Sequence, residues 1–295
     1  MDPLDTQGSK AKRLQRTEIL PVLMPSRNLP FQTFLPGCEK GEADSWRAFL
    51  ANYTPIVFRL LDVYAPQRGD EARKSLWQDA LLALTAEDFK RLREFDHQAE
   101  REFLIDLKGF VLDLALQRLG GTPGEARHTI ESVRSRIEGR PIAHQEIILL
   151  NLGGYSPEAL EELLVVPGTL VVKALAPAAG TEPAQSGVGT ARSATAWLEF
   201  LREVHAARTP DCPPRRIFVR ILDGQVSWYD KTPAENHMTN CLHCLDVWAS
   251  LREADSLRRE TAPLPDREVS VHLATLPIAT ATPARGSWIG RLLGR

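Results

Sequence analysis

The sequence predicts a mainly α-helical protein, and three observations support that prediction. Apolar residues recur at three- and four-residue steps over most of positions 44 to 260, which is the period of a helix with one buried face. Glycine and proline clusters separate these stretches. The 295 residues are 43% hydrophobic and 25% charged, as in soluble globular proteins with two or three compact units.

The charge balance and the hydropathy pattern exclude several classes of protein. Lys and Arg number 36 against 38 Asp and Glu, so the chain is not a strongly basic coat for nucleic acid. It contains no run of about 18 apolar residues and no secretory signal pattern near its start. We therefore expect a cytoplasmic protein without a membrane partner.

The first predicted domain spans residues 41–122 and contains three helices. The first helix begins at a cap formed by Asp44 or Ser45, and its Trp46, Phe49 and Tyr53 are interpreted as core. The second helical pattern runs from about Glu71 to Leu84, and the third runs from about Glu100 to Leu119. Glycines and a proline directly after the third pattern predict a sharp stop there.

The second predicted domain spans residues 123–176 and ends in a helix-turn-helix. Two helical patterns come first, from His128 to Ile137 and from Ala143 to Leu152. A short helix then begins with Ser156 as its cap and Pro157 at its first position, both of which favour helix starts. A tight turn leads to a last helix from Thr169, so the pair fits a helix-turn-helix.

Three segments lack a sustained helical period. Residues 1–40 mix cations with prolines and are predicted to be a flexible leader. Residues 177–195 are rich in Ala, Gly, Pro, Ser and Thr and are predicted to be a flexible linker. Residues 261–295 are predicted to be a C-terminal tail, with an alternating stretch from Val269 to Leu276 that fits a short strand.

The strongest chemical signal is an H-x3-C-x2-C run in the remaining domain, residues 196–260. His237, Cys241 and Cys244 precede an apolar helical pattern, so one helix start can direct three ligands at one ion. The fourth ligand is open at this point: Cys212 is favoured, and His205 and His243 compete with it. Three thiolates and an imidazole are a typical ligand set for Zn²⁺. A closed set of four argues against a hydrolytic role, so we predict no enzyme activity.

The zinc motif and its surroundings resemble the zinc-binding anti-sigma domain. The resemblance covers Cys212 to about Glu253, with a Cys-Pro start, an apolar helix, a Leu-Asp-Gly turn and the metal motif opening a longer helix. It implies that Cys212, His237, Cys241 and Cys244 bind zinc. Some members of that family release zinc on thiol oxidation, and others use it only structurally.

Residues 44 to 176, the front half of the chain, resemble a divergent sigma factor of the extracytoplasmic-function type. The resemblance covers about 130 residues at low identity. The matching segments, in order, are SWRAFLANYTPIVFRLL, SLWQDALLAL, FLIDLKGFVLDLALQRLGG and RPIAHQEIILLNLGGYSPEALEELLVVPGTLVVKAL. The resemblance implies that domains 41–122 and 123–176 correspond to sigma regions 2 and 4. It assigns polymerase binding to Gln78 and Asp79. It assigns DNA binding to the residues Lys108, Arg118, Thr169 and Lys173.

The sequence thus predicts a sigma-like regulator of transcription initiation that is restrained by a fused zinc-binding module. Its expected partners are core RNA polymerase, promoter DNA and another sigma or anti-sigma protein. The two helices that would face DNA carry few cations, although phosphate contacts depend on them. Glu161 also stands where the family has a small residue between the paired helices. These departures favour the alternative, a protein-binding adaptor or zinc or redox sensor that sequesters another regulator without binding DNA.

Overall fold

The computed structural model describes residues 30–66, 69–96, 98–119, 128–176 and 194–278. Throughout these ranges the regular secondary structure is helical, which confirms the predicted all-α class. The helices are α1 Phe31–Cys38, α2 Ala43–Tyr64, α3 Asp70–Arg93, α4 Glu100–Leu119, α5 Ile130–Ile137, α6 Ile142–Gly153, α7 Pro157–Leu164, α8 Gly168–Leu175, α9 Ala194–Ala206, α10 Arg215–Leu222, α11 Trp228–Met238, α12 Leu242–Glu260 and α13 Asp266–Ala274.

Helices α2, α3 and α4 pack around a cluster of aromatic side chains. Trp46, Phe49, Tyr53, Trp77 and Phe103 are each 0% exposed, so the aromatic residues of α2 are core as predicted. The rings of Phe49 and Phe103 meet edge to face at 6.2 Å, a favourable geometry for aromatic pairs. This cluster joins the three long helices into one unit.

The leader predicted over residues 1–40 is wrong at its C-terminal end, because α1 lies there. Phe31, Phe34, Leu35 and Cys38 are buried against α2 and α4. The proline that looked like a helix breaker, Pro36, lies inside this short helix. Residues 1–29 lie outside the described part of the chain, as do 177–193 of the predicted linker.

Helix α3 is interrupted shortly after the predicted end of its pattern at Leu84. From Ala86 to Phe89 the backbone leaves helical geometry, and Glu87, Asp88 and Phe89 have φ of 48°, 56° and 59°. Residues other than glycine rarely adopt a positive φ. The Phe89 ring lies 6.2 Å from that of Trp46, so the interruption returns an aromatic side chain to the core.

Helices α5 to α8 form the second predicted unit, including the helix-turn-helix of α7 and α8. Ser156 caps α7 as predicted, because its side chain accepts a hydrogen bond from the Ala159 N–H at 3.2 Å. Val165 ends α7 with a left-handed φ of 52°. The bulk of Glu161 fits because Gly168 has no side chain: a Cβ there would lie 2.3 Å from the Glu161 carboxylate.

Helix α12 occupies the centre of the molecule. It packs against α2 and α4 of the first unit, against α6 and α7 of the second, and against α9, α10 and α11. Buried apolar residues on α12 thereby belong to one core that continues through both units.

The strand predicted from Val269 to Leu276 is wrong, because α13 covers most of that stretch. Val269, Leu273 and Leu276 share one buried face at helical spacing, whereas Val271 is 64% exposed. Helix α13 packs on α2, so the first part of the predicted tail is folded. Residues 279–295 lie outside the described part of the chain.

The longest helices carry charged residues along their exposed faces. Helices α2 and α3 span 22 and 24 residues, and α4 spans 20. Within the described ranges, no helix is at once long enough and apolar enough to cross a membrane.

Candidate metal centre

Four residues from three parts of the C-terminal half converge in one cluster. Cys212 lies in the loop between α9 and α10, His237 in the last turn of α11, Cys241 at the cap position of α12 and Cys244 in its first turn. One potential ligand atom from each residue lies within 4.8 Å of the others. The Sγ atoms of Cys212 and Cys241 are 3.8 Å apart. This cluster can hold a metal ion.

A tight turn between α11 and α12 brings the three local ligands together. Helix α11 ends at Met238, and the Cys241 N–H donates to the Met238 carbonyl at 3.4 Å. Cys241 itself is extended, with φ of −121° and ψ of 106°, and α12 begins at the next residue. His237 therefore faces the start of α12 from one helical turn earlier, as the sequence predicted.

The thiols of Cys241 and Cys244 differ in acidity because they share one hydrogen bond. A hydrogen bond from Cys244 lowers the pKa of Cys241 to about 4, with smaller contributions from His237 and Cys212. The pKa of Cys244 is raised, first because that thiol donates to Cys241 and then because it is buried. The cluster thus already favours one thiolate, and thiolates are the form that binds metal.

The imidazole of His237 provides an independent test of whether the cluster fits a metal ion. Its Nε2 atom is buried and has no hydrogen-bond partner. A buried polar nitrogen without a partner costs free energy unless another group binds it. A metal ion bound by the three neighbouring sulfurs would satisfy this nitrogen, so the residues fit a closed site of four ligands.

The competing histidines, His205 and His243, lie beside each other and are not members of the four-residue cluster. Their ring centroids are 5.7 Å apart, and the cluster does not include either ring. Burial lowers the pKa of His243, with a further contribution from His205. The backbone of Thr209 donates to the Cys212 Sγ at 3.3 Å and so fixes Cys212 towards the other three residues.

The residues predicted to bind polymerase lie on a partly exposed face of α3. Gln78 and Asp79 are both of intermediate exposure. Asp79 forms an ion pair with Arg118 on α4, which the resemblance assigned to DNA. Arg118 also donates to the Ser75 Oγ at 3.1 Å. One predicted polymerase residue and one predicted DNA residue are therefore partners of each other.

Lys108, the other predicted DNA contact on α4, is buried beneath α12. Its ammonium donates to the carboxylate of Glu253 at 2.6 Å, the Ser250 Oγ at 3.0 Å and the Tyr64 hydroxyl at 3.1 Å. The side chain is 9% exposed and that of Glu253 is 1% exposed. All three N–H groups of the ammonium therefore donate hydrogen bonds to groups within the protein.

The predicted DNA residues of α8 remain on the surface. Thr169 and Lys173 are exposed, and Val172 between them is 69% exposed. Val165 in the preceding turn is 78% exposed. The outer face of the helix-turn-helix thus presents two valines beside a single cation.

Sequence reasoning missed the residues that connect α12 to the two front units. Glu253 accepts hydrogen bonds from Tyr64 at 2.9 Å, from Tyr155 and from Lys108. Arg252 next to it donates to Glu146 on α6 at 2.9 Å and also to a carbonyl at the end of α7. Charged residues inside the apolar face of α12 were the available signal, because such residues are rarely buried without partners.

Further ion pairs surround this buried network. Arg101 on α4 pairs with Asp223 and Asp255, and Arg258 on α12 pairs with Glu100. Arg215, at the start of α10, pairs with Asp106 on α4. The C-terminal helices are thus bound to α4 by charge as well as by apolar contact.

Comparisons of this chain with models of protein families, with curated proteins and with solved structures give no match.

Proposed function

We propose that the chain regulates transcription initiation through a sigma-like front half that binds core RNA polymerase and promoter DNA. A C-terminal module, α9 to α12, holds a zinc ion and restrains the front half in cis. The observation that carries the proposal is the burial of Lys108 beneath α12, where it contacts Glu253 and Ser250. A cation suited to a phosphate is thereby held inside the protein.

The position of α12 supports the proposal of restraint. This helix packs against α4 of the first unit and against α6 and α7 of the second. A module in that position keeps both units in one arrangement. A partner that needs the units apart, or needs the buried face of α4, has to displace α12 first.

Zinc is the proposed metal because of the ligand chemistry. Three thiolates and one imidazole suit Zn²⁺, whereas Mg²⁺ and Ca²⁺ prefer oxygen. Cys241 and Cys244 belong to α12 or its cap, so the ion would fix the start of α12 to α11 and to the loop that carries Cys212. The proposed role is structural, because all four positions of a tetrahedral ion would be occupied by the protein.

The experiment is a capture assay with core RNA polymerase as the probe and the full chain as bait. In Glu253→Lys, two ammonium groups would face each other in the buried network, so α12 should separate from α4. We expect Glu253→Lys to capture more polymerase than the unchanged chain. Glu203→Lys, at an exposed position of α9, is the matched control and should leave capture unchanged. Absence of capture by all three proteins would contradict the sigma-like function.

The second candidate function is a protein-binding adaptor, and the surface of α8 favours it. Val165 and Val172 are exposed where DNA readers usually carry polar side chains, and Lys173 is the cation beside them. A salt titration of binding to duplex DNA separates the two candidates. Phosphate contacts give affinity that falls steeply with salt, whereas an adaptor should show no such binding in either the unchanged chain or Glu253→Lys.

A further inference from the structure

The chain returns to its front half after the metal-binding module. Helix α12 ends at Glu260, a short extended segment follows, and α13 then packs on α2. Five apolar residues of this return segment are buried. They are Leu264, Val269, Leu273, Leu276 and Ile278.

Pro55 creates a specific binding point for this segment in the middle of α2. Proline has no N–H, so the carbonyl four residues earlier in a helix loses its usual donor. In α2 that carbonyl belongs to Ala51, which is 0% exposed and therefore not available to water. The Leu264 N–H donates to the Ala51 carbonyl at 2.8 Å. The Leu264 N–H, from the segment after α12, thus replaces the missing helical donor.

Contacts on both sides of this hydrogen bond align α13 along α2. Arg47, one turn before Ala51, donates to the Ser270 Oγ at 3.4 Å. Phe58, about two turns after Ala51, meets the His272 ring edge to face at 6.4 Å. Val269, the residue before Ser270, is 0% exposed. The segment therefore has one backbone contact and side-chain contacts that fix its register.

We infer that residues 261–278 form a strap that fastens the metal-binding module onto the front half, and that the Ala51 carbonyl freed by Pro55 is its docking point. The strap begins directly after α12, so α12 cannot move far from α4 while the strap is bound. Release of the strap is then the step that frees the module. This regulatory role rests on the proposed function, but the docking itself does not.

The test is hydrogen exchange on the full chain and on Pro55→Ala. An alanine at this position supplies a helical N–H that competes with the Leu264 N–H for the Ala51 carbonyl, so the hydrogen bond from Leu264 weakens. We expect exchange at Leu264 and through α13 to become about tenfold faster, which corresponds to the loss of one net hydrogen bond. Exchange within α2 should be as slow as before or slower, because a helix-breaking residue has been removed.

Pro233→Ala provides the matched control, because Pro233 also lies inside a helix, α11, but is not part of the strap or its docking point. In Pro233→Ala, the amide hydrogens of the strap should exchange as fast as in the unchanged chain. Unchanged exchange at Leu264 in folded Pro55→Ala would overturn the inference. If Pro55→Ala does not fold, Val269→Asp tests the strap through its apolar contact, and an unchanged rate there would equally overturn it.

The polymerase capture assay distinguishes a failure of the strap from a failure of the proposed function. Faster strap exchange together with increased capture supports both. Faster strap exchange without a change in capture supports the docking point and contradicts the regulatory role of release. Because hydrogen exchange needs no partner, the docking point is tested in every case.

Discussion

Lys108 on α4 and Glu253 on α12 form a buried ion pair that joins the C-terminal helices to the first unit. Both are buried and they are 2.6 Å apart, with Tyr64, Tyr155 and Ser250 completing the network. A buried ion pair can be replaced by apolar residues at little cost. Removal of one partner leaves the other charge buried without compensation.

Glu253→Met should therefore destabilise the chain by about 3 to 5 kcal/mol, because the buried Lys108 ammonium loses its paired carboxylate. The double variant Lys108→Met with Glu253→Met should recover most of that loss. Urea denaturation of both single variants and the double variant measures the coupling between the two residues. Additive losses in the double variant would show that the pair is not coupled.

Glu146 is a buried carboxyl group whose environment predicts a dependence of stability on pH. Burial raises the pKa of Glu146 to about 7, and the Arg252 guanidinium opposes that rise without cancelling it. In the unfolded chain a glutamate ionises near pH 4.3. The native state thus holds a proton that the unfolded state has lost, so stability decreases as pH rises from about 4.5 to 7.

Glu146→Gln should lose this dependence, because glutamine does not ionise. Relative to the unchanged chain, the variant should gain up to about 3 kcal/mol between pH 4.5 and pH 8. Denaturation curves of both proteins at several pH values provide the measurement. Parallel stability profiles for the two proteins would contradict the raised pKa.

At the scale of helices, the turn between α7 and α8 contains a strained residue. Val165 has a left-handed φ of 52° and is 78% exposed. A β-branched side chain is disfavoured in this conformation, and little packing compensates for it. Helices commonly end with glycine at such a position.

Val165→Gly should accordingly stabilise the second unit by about 1 kcal/mol. The matched control is Val172→Gly. This valine is similarly exposed, at 69%, but it lies within α8, so glycine there should destabilise by about 1 kcal/mol. Thermal denaturation compares the two variants. Destabilisation by both would show that the turn is not strained.

The sequence allowed prediction of elements whose information is local. Helical period, the Ser156 cap and the spacing of His237, Cys241 and Cys244 each involve neighbouring residues, and the structure contains them as expected. Helix α13 was mistaken for a strand because Val269, Val271 and Leu273 alternate. Val269, Leu273 and Leu276 also satisfy helical spacing, and only packing on α2 decides between the two.

At the scale of the whole molecule, the important contacts join positions far apart in the sequence. Lys108 and Glu253 are 145 positions apart, and Cys212 and Cys241 are 29 positions apart. No periodic sequence pattern links such pairs. The sequence therefore left the fourth metal ligand undecided and did not predict the buried network around Glu253. Both front units and the C-terminal helices nevertheless share one apolar core.

Through that shared core, the proposed metal centre is coupled to the packing of α12 against the two front units. The cluster fixes the start of α12, and the remainder of α12 buries Lys108 and contacts α6 and α7. In the proposed metal-bound state, loss of the ion would break the bonds that join the start of α12 to α11 and to the loop that carries Cys212. The whole of α12 should then pack less tightly against both units.

Hydrogen exchange in α4 and α6, with and without a zinc chelator, tests this account most directly. The account predicts that chelation accelerates exchange around Lys108 and Glu146. In Cys244→Ser, exchange at these positions should be equally fast before any chelator is added. Cys38→Ser, at the buried cysteine of α1 outside the cluster, should keep its metal and its response to chelation. Slow exchange in both helices after complete removal of the metal would contradict the account, because α12 would then hold the two units without any metal at its start.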